Sequence, residues 1–226
     1  MLQLLIFQPL YNLLAFFSSL LHGELGWAVL ILAGLIRLAI WPWYKKAMAD
    51  QRKMAQLQPK IQEIQKKYKQ DPMKANQEVM NLFRTEKINI GSSFLFLFFQ
   101  IGVFLILFAF FKQAITNDWS PFLYSFIELP SQINYIFLGF IDTRAPSLIL
   151  AIVSVLLNLV LVSVQPSTGQ NKWLALGLPF VILLLYQNFP AIIILYWIGF
   201  SLVNVLQEFL INRRRKLEPI PVGDLK

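Results

Sequence analysis

The stretch "LIRLAIWPW" (Leu35–Trp43) places Arg37 inside an apolar run from Trp27 to Tyr44 that contains no acidic residue. At 1.5 Å per residue this run reaches about 27 Å, close to the thickness of a bilayer's hydrocarbon core. Arg37 lies ten residues from Trp27 and eight from Lys45, or about 15 Å and about 12 Å along a helix. Helical side chains tilt toward the N-terminus, so its guanidinium points away from the nearer edge and snorkels poorly. A central Arg costs roughly 2.5–3.5 kcal/mol on insertion scales and about 10–17 kcal/mol in simulations of an isolated helix. The run is therefore a membrane span, and its charge needs water or polar company.

Composition agrees with a membrane class. Of 226 residues, 57% are hydrophobic and only 14% charged, and the mean hydropathy is +0.57. Continuous apolar runs near twenty residues argue for helices rather than a barrel, whose strands alternate with period two. The fold class expected is an all-α membrane protein. With no cysteine and one histidine, His22, the chain offers no disulfide, thiolate zinc site or nucleophilic thiol, and no metal site is expected. His22 reads as an interfacial side chain. No Gly-rich phosphate loop, HExxH or GxSxG is present, so neither a catalytic residue nor a cofactor is expected.

Five transmembrane helices are predicted at Trp27–Tyr44, Ser92–Phe111, Pro146–Val164, Trp173–Gln187 and Pro190–Ile211, the last three within 146–211. The net charge of +8 is unevenly placed. Lys45–Gly91 holds 11 Lys/Arg against 5 Asp/Glu, the tail "NRRRKLEPIPVGDLK" (212–226) holds 5 against 2, and the first 26 residues hold no Lys or Arg. The positive-inside rule puts both basic segments in the cytoplasm and the N-terminus outside. "FLYSFIELPSQINYIFLGFI" (Phe122–Ile141) is interrupted by Glu128, Pro130 and Asn134. Reading it as a sixth span would export "RRRK". Segment 112–145 is therefore expected to be an extracellular interfacial segment.

Residues 1–26 lack the basic start and small-residue cleavage site of a signal peptide. Their polar positions leave a broad apolar face, so an outer interfacial amphipathic helix is expected. In 45–91, Met54, Leu57, Ile61, Ile64 and Tyr68 recur at helical steps. "QDP" then supplies Asp71 as N-cap with Pro72 at the first helical position, and Ala75, Val79, Leu82 and Phe83 form a facing stripe. This spells a cytoplasmic helical hairpin, with a bend expected at Pro59. Its basic residues read as a solvated face and topology signal, or as docking to anionic lipid or a ribonucleoprotein.

Neutral polar groups stand near mid-depth in the other spans: Gln100 in the second, Ser154 and Asn158 in the third. Trp197, Ser201 and Asn204 form a stripe in the fifth, continued by Glu208. Ala33 and Gly34 would let a neighbour or water approach Arg37. These residues are expected to line a wet, positively charged groove open to the cytoplasm. Each neutral side chain alone is as readily an interhelical hydrogen-bond partner, whereas Arg37 asks for a function. The tail residues Arg213, Arg214, Arg215 and Lys216 read as an orientation signal, or as a salt-sensitive contact to ribosomal RNA or lipid.

Along almost its whole length the sequence resembles the YidC family of membrane protein insertases. "LIRLAIWPWYKKAMADQRKMAQLQPKIQEIQKKY" is similar to that family's first core span and hairpin, with Arg37 and Pro42 in family positions. "EVMNLFRTEKIN" (Glu78–Asn89) is similar to the second hairpin helix. "FPAIIILYWIGFSLVNVLQEFLI" is similar to the final span, with Phe189, Pro190, Leu195, Tyr196, Trp197, Asn204 and Gln207 in family positions. The resemblance implies an insertase and chaperone of the bacterial inner membrane, in a short form without a large extracytoplasmic domain. Arg37 would attract acidic residues of a client segment in the groove while its apolar helix enters lipid. Asn158 would be the third-span and Trp197 the fifth-span partner of Arg37. Gln100 precedes Gly102, which stands where the family usually has Pro. Implied partners are nascent membrane-protein clients, the ribosome, membrane lipids and the Sec translocon, and no DNA. Two rival readings are a small-anion transporter or channel, which would show flux without client, and a non-transporting assembly scaffold, which would pack Arg37 in a dry surround.

Overall fold

A computed structural model describes residues 3–88, 90–116, 118–164, 180 and 183–217. The chain is mostly helical: α1 (Gln8–Leu20) after a π-helical turn at Gln3–Phe7, α2 (Leu25–Lys67), α3 (Pro72–Thr85), α4 (Ile90–Ala114), α5 (Leu148–Val164) and α6 (Ala191–Leu217). By length and composition three segments can cross a membrane: Gln3–Leu20, Leu25–Lys46 and Ala191–Ile211. Phe98–Ala114 and Leu148–Val164 are shorter apolar helices. The expected fourth span, Trp173–Gln187, falls mainly outside the described residues. Gln3–Leu20 was expected to lie on the surface, yet it is long and apolar enough to cross.

Two compact units divide the chain, one formed by residues 1–37, 117–165 and 176–226, the other by 38–116 and 166–175. In the first, α1 buries one face (Tyr11, Asn12, Leu14, Ala15 and Ser18) and exposes Leu13, Phe16 and Leu20. The buried face holds down the loop that follows residue 117. Asn12 Nδ2 donates to Phe122 O at 2.9 Å while its Oδ1 accepts from Tyr124 N at 2.7 Å. Tyr11 stacks on Phe122 with ring centroids 4.8 Å apart. A polar side chain inside an apolar helix thus satisfies two partly buried backbone groups.

The segment expected to lie at the extracellular interface contains a small antiparallel sheet, a departure from a purely helical fold. β1 (Ile136–Phe137) pairs with β2 (Ile141–Asp142) in the register Ile136–Asp142, Phe137–Ile141. Leu138 and Gly139 between them both have positive φ, 54° and 81°, the geometry that a tight hairpin turn requires. Arg144 forks onto Asp142 at 3.0 and 3.1 Å, and this hydrogen-bonded guanidinium holds the Asp142 carboxyl below the usual carboxylate range. Leu25 N donates to Asn134 O at 3.3 Å, Ile192 N to Thr143 O and Ala191 N to Ala145 O, each at 2.8 Å. The sheet therefore ties together the starts of α2 and α6, with α5 beginning three residues after Ala145.

Helix directions follow from these ties. α5 packs on α6, and both begin at the same end. Along α2 and α6 the neighbours advance together: Leu30 and Ala33 lie beside Gly199, Gly34 beside Val203 and Arg37 beside Asn204. The two helices therefore run in the same direction.

In the second unit, α2 continues as helix through Pro42 and Pro59. Leu57, Ile61, Phe83 and Ile88 form a buried cluster, with Met54, Val79 and Leu82 packed against it. Asp71 caps α3, its Oδ1 accepting from Lys74 N at 3.0 Å, and Pro72 occupies the first turn. The cap satisfies one of the four N–H groups that a helix start leaves without an intrahelical partner.

Candidate functional site: a buried arginine between two parallel helices

Close approach comes first. An added Cβ on Gly199 would stand 2.9 Å from Ala33 Cβ and 3.0 Å from Leu30 O, so α2 and α6 meet at this separation only because position 199 has no side chain. One turn beyond that contact on α2 stands Arg37, and beyond Gly199 on α6 stand Phe200 and Asn204. The small residues thereby set the separation at which a long cationic side chain meets its partners.

Arg37 is 1% exposed, the largest fully buried side chain described. Its Nη2 donates to Asn204 Oδ1 at 2.6 Å. Its Cζ lies 4.9 Å from the centroid of the Phe200 ring, within the range of a cation–π attraction. Phe200 is half-buried, and Tyr196, one turn earlier, packs its ring 6.1 Å from that of Phe200. Tyr196, Phe200, Asn204 and Glu208 recur every four residues and share one face of α6. Tyr196, Asn204 and Glu208 on that face are buried.

The guanidinium, expected in a wet cavity, is buried in this conformation. A neutral amide and an aromatic face are among the groups that position it.

The other predicted residues divide. Asn204 is the partner on the final helix. Ser154 and Ser201 are both buried, 0% and 2% exposed, on the packed pair α5 and α6. Asn158, expected as the third-span partner of Arg37, is half-buried and donates to Ser154 O of its own helix at 2.8 Å. Trp197 is half-buried on α6, and Gln100 is half-buried on α4 in the other compact unit. Arg213, Arg214, Arg215 and Lys216 lie in the last turns of α6, with side chains outside the described ones. Sequence reading missed Phe200 and Gly199. The spacing of Phe200, four residues before Asn204, was the available signal.

The family profile described as "60Kd inner membrane protein" matches residues 16–218. The membrane protein insertase YidC of Oleidesulfovibrio alaskensis is 31% identical over 210 residues, covering 92% of this chain and 38% of that protein. YidC of Syntrophobacter fumaroxidans is 28% identical over 211 residues, with coverages of 92% and 38%. YidC of Ralstonia nicotianae is 31% identical over 209 residues, with coverages of 92% and 36%. The chain spans little more than a third of the length of these relatives. A match over most of the sequence, with Arg37 and the final-helix residues that meet it inside the matched region, assigns the chain to the 60Kd inner membrane protein family, the family of the YidC insertases.

Proposed function

We propose that this protein, an integral protein of the bacterial inner membrane, is a membrane protein insertase and chaperone. It would move short hydrophilic segments of client proteins partway across the bilayer and release their apolar helices into lipid. The observation that carries the reading is Arg37, buried in a span-length helix and held by Asn204 and Phe200. The Asn204 amide and the Phe200 ring carry no charge, so an incoming carboxylate offers Arg37 a charge-assisted contact that neither of them supplies.

The buried state is then the closed form of the groove. Client entry turns the half-buried Phe200 ring aside and admits water beside Arg37, and Ser154, Ser201 and Asn204 offer hydrogen bonds to the segment in transit. Trp197 is proposed to line the same path, and Gln100 is proposed as a separate polar contact for the client. A cation in a low-dielectric surround lowers the barrier for an acidic segment by direct attraction. Net drive comes from burying the client's apolar helix, at about 25 cal/mol per Å². The membrane potential adds about 2.3 kcal/mol per charge per 100 mV for an acidic segment moving outward. The proposed topology has the N-terminus outside and the basic tail inside, where Arg213–Lys216 would meet ribosomal RNA or anionic lipid. Nascent clients, the ribosome and the Sec translocon are the proposed partners.

Photo-crosslinkers placed along α5 and α6 test this with a stalled nascent client. The client's apolar segment is expected to crosslink to both helices, and an absence of crosslinks above those of a soluble control chain would count against it. One observation favours a second reading, a non-transporting assembly scaffold: the burial of Arg37. A scaffold would retain a client without exposing any of its hydrophilic segment on the far side, so protease protection of that segment separates the two.

A further inference from the structure

We infer that the tip of the β1–β2 hairpin is a lipid-inserting wedge, embedded in the leaflet at which α2, α5 and α6 begin. The turn residues Leu138 and Phe140 are 54% and 66% exposed, although both are large and apolar. Their neighbours on the strands behave oppositely: Phe137 and Ile141 are buried. Phe137 fills the space left by Gly26, where an added Cβ would meet the ring's own atoms, and packs edge-on to Trp27 with centroids 5.2 Å apart. The hairpin is thus anchored through its inner face and leaves an exposed apolar tip.

The location selects lipid as the occupant. The hairpin's root is hydrogen-bonded to the first residues of α2 and α6, so the tip stands level with the ends of membrane-length helices. Trp27, 45% exposed in the first turn of α2, is the residue type that collects at the boundary between headgroups and hydrocarbon. Leu148 and Ile149, exposed in the first turn of α5, continue the apolar surface at that level. Polar pairs sit behind the tip, Arg144 on Asp142 and Asn134 Nδ2 on Glu24 Oε1 at 2.7 Å. The hairpin is therefore amphipathic along its length, polar at the root and apolar at the turn. A water-facing turn normally carries polar residues, and here the positive φ of Leu138 is tolerated at a position that Asn or Gly would fill with less strain. That retention fits a turn whose surroundings are hydrocarbon.

The chain has no cysteine, so single-cysteine labelling needs no background removal. Leu138→Cys, Phe140→Cys and, as a reference, the exposed Ser131→Cys are labelled with NBD in the full chain. The proteins are reconstituted in vesicles of phosphatidylethanolamine and phosphatidylglycerol. Labels at 138 and 140 are expected to emit at shorter wavelength than at 131, to be quenched several-fold more by shallow doxyl-labelled lipid, and to resist iodide. Emission and iodide quenching at 138 and 140 equal to those at 131 would overturn the inference. So would protection that appears only on adding a client, because the occupant would then be protein. If the label lowers the melting temperature, a nitroxide at the same positions repeats the test: oxygen contact exceeding nickel-chelate contact supports insertion, and the reverse opposes it. The result does not depend on insertase activity, so the two proposals stand or fall separately.

Discussion

At the scale of the residue, the account turns on what a neutral partner does for a buried cation. Asn204 holds Arg37 at 2.6 Å with an amide dipole rather than a full charge. Asn204→Asp is nearly isosteric and puts a carboxylate on the same contact. A carboxylate there forms a charge-assisted, largely desolvated pair, and an incoming client acid has to displace it. Insertion of clients with acidic translocated segments is expected to fall on the order of tenfold, the factor that about 1.4 kcal/mol makes. Clients with neutral segments are expected to change little. Reconstituted insertion assays on the two client types check this, and an unchanged acidic client would show that the charge on Arg37 does no work. Sequence alone exposed both partners of this bond, since a cation and a polar stripe stand out in apolar runs. It did not expose Phe200. An aromatic ring in a span reads by default as lipid-facing or packed, and only coordinates show one lying over a guanidinium.

Among the elements, the α2–α6 contact is the most sharply constrained. Gly199→Val would drive side-chain atoms into Ala33 and the Leu30 backbone. Backbone cannot yield as a flexible side-chain end can, so the helices must separate. Overpacking of this kind costs roughly 1–3 kcal/mol, and here it also pulls Arg37 from Asn204. A lowered melting temperature in detergent together with weaker acidic-client insertion is the expected outcome. Gly199→Val with wild-type melting would mean that the helices do not meet at that distance. The hairpin of the second unit offers an independent element. Asp71→Ala removes the cap on Lys74 N and is expected to cost about 1 kcal/mol. Hydrogen exchange should then accelerate several-fold in the first turn of α3, with the cluster around Leu57 and Phe83 less affected. Asp71, Pro72 and the heptad-like apolar steps were legible in the sequence because capping and periodicity are local signals. The β1–β2 hairpin was not, because "IFLGFI" (Ile136–Ile141) carries no Asn-Gly or Asp-Gly turn and relies on Leu138 at positive φ.

For the molecule as a whole, charge and direction tell one story. α2 and α6 run the same way, and each leads into a basic segment, as the positive-inside rule asks of two helices crossing in the same sense. That much followed from counting Lys and Arg. The burial of Arg37 did not, because a composition cannot report how closely neighbouring helices pack around one side chain. The central claim is that Arg37 acts through its charge on the acidity of what crosses. A matched client pair, identical except for Asp-to-Asn changes in the translocated segment, is inserted into vesicles carrying either the wild-type protein or Arg37→Ala. The account predicts that Arg37→Ala slows the acidic client on the order of tenfold and leaves the neutral one near wild type, with Arg37→Lys restoring much of the loss. Equal insertion of both clients by Arg37→Ala would contradict it.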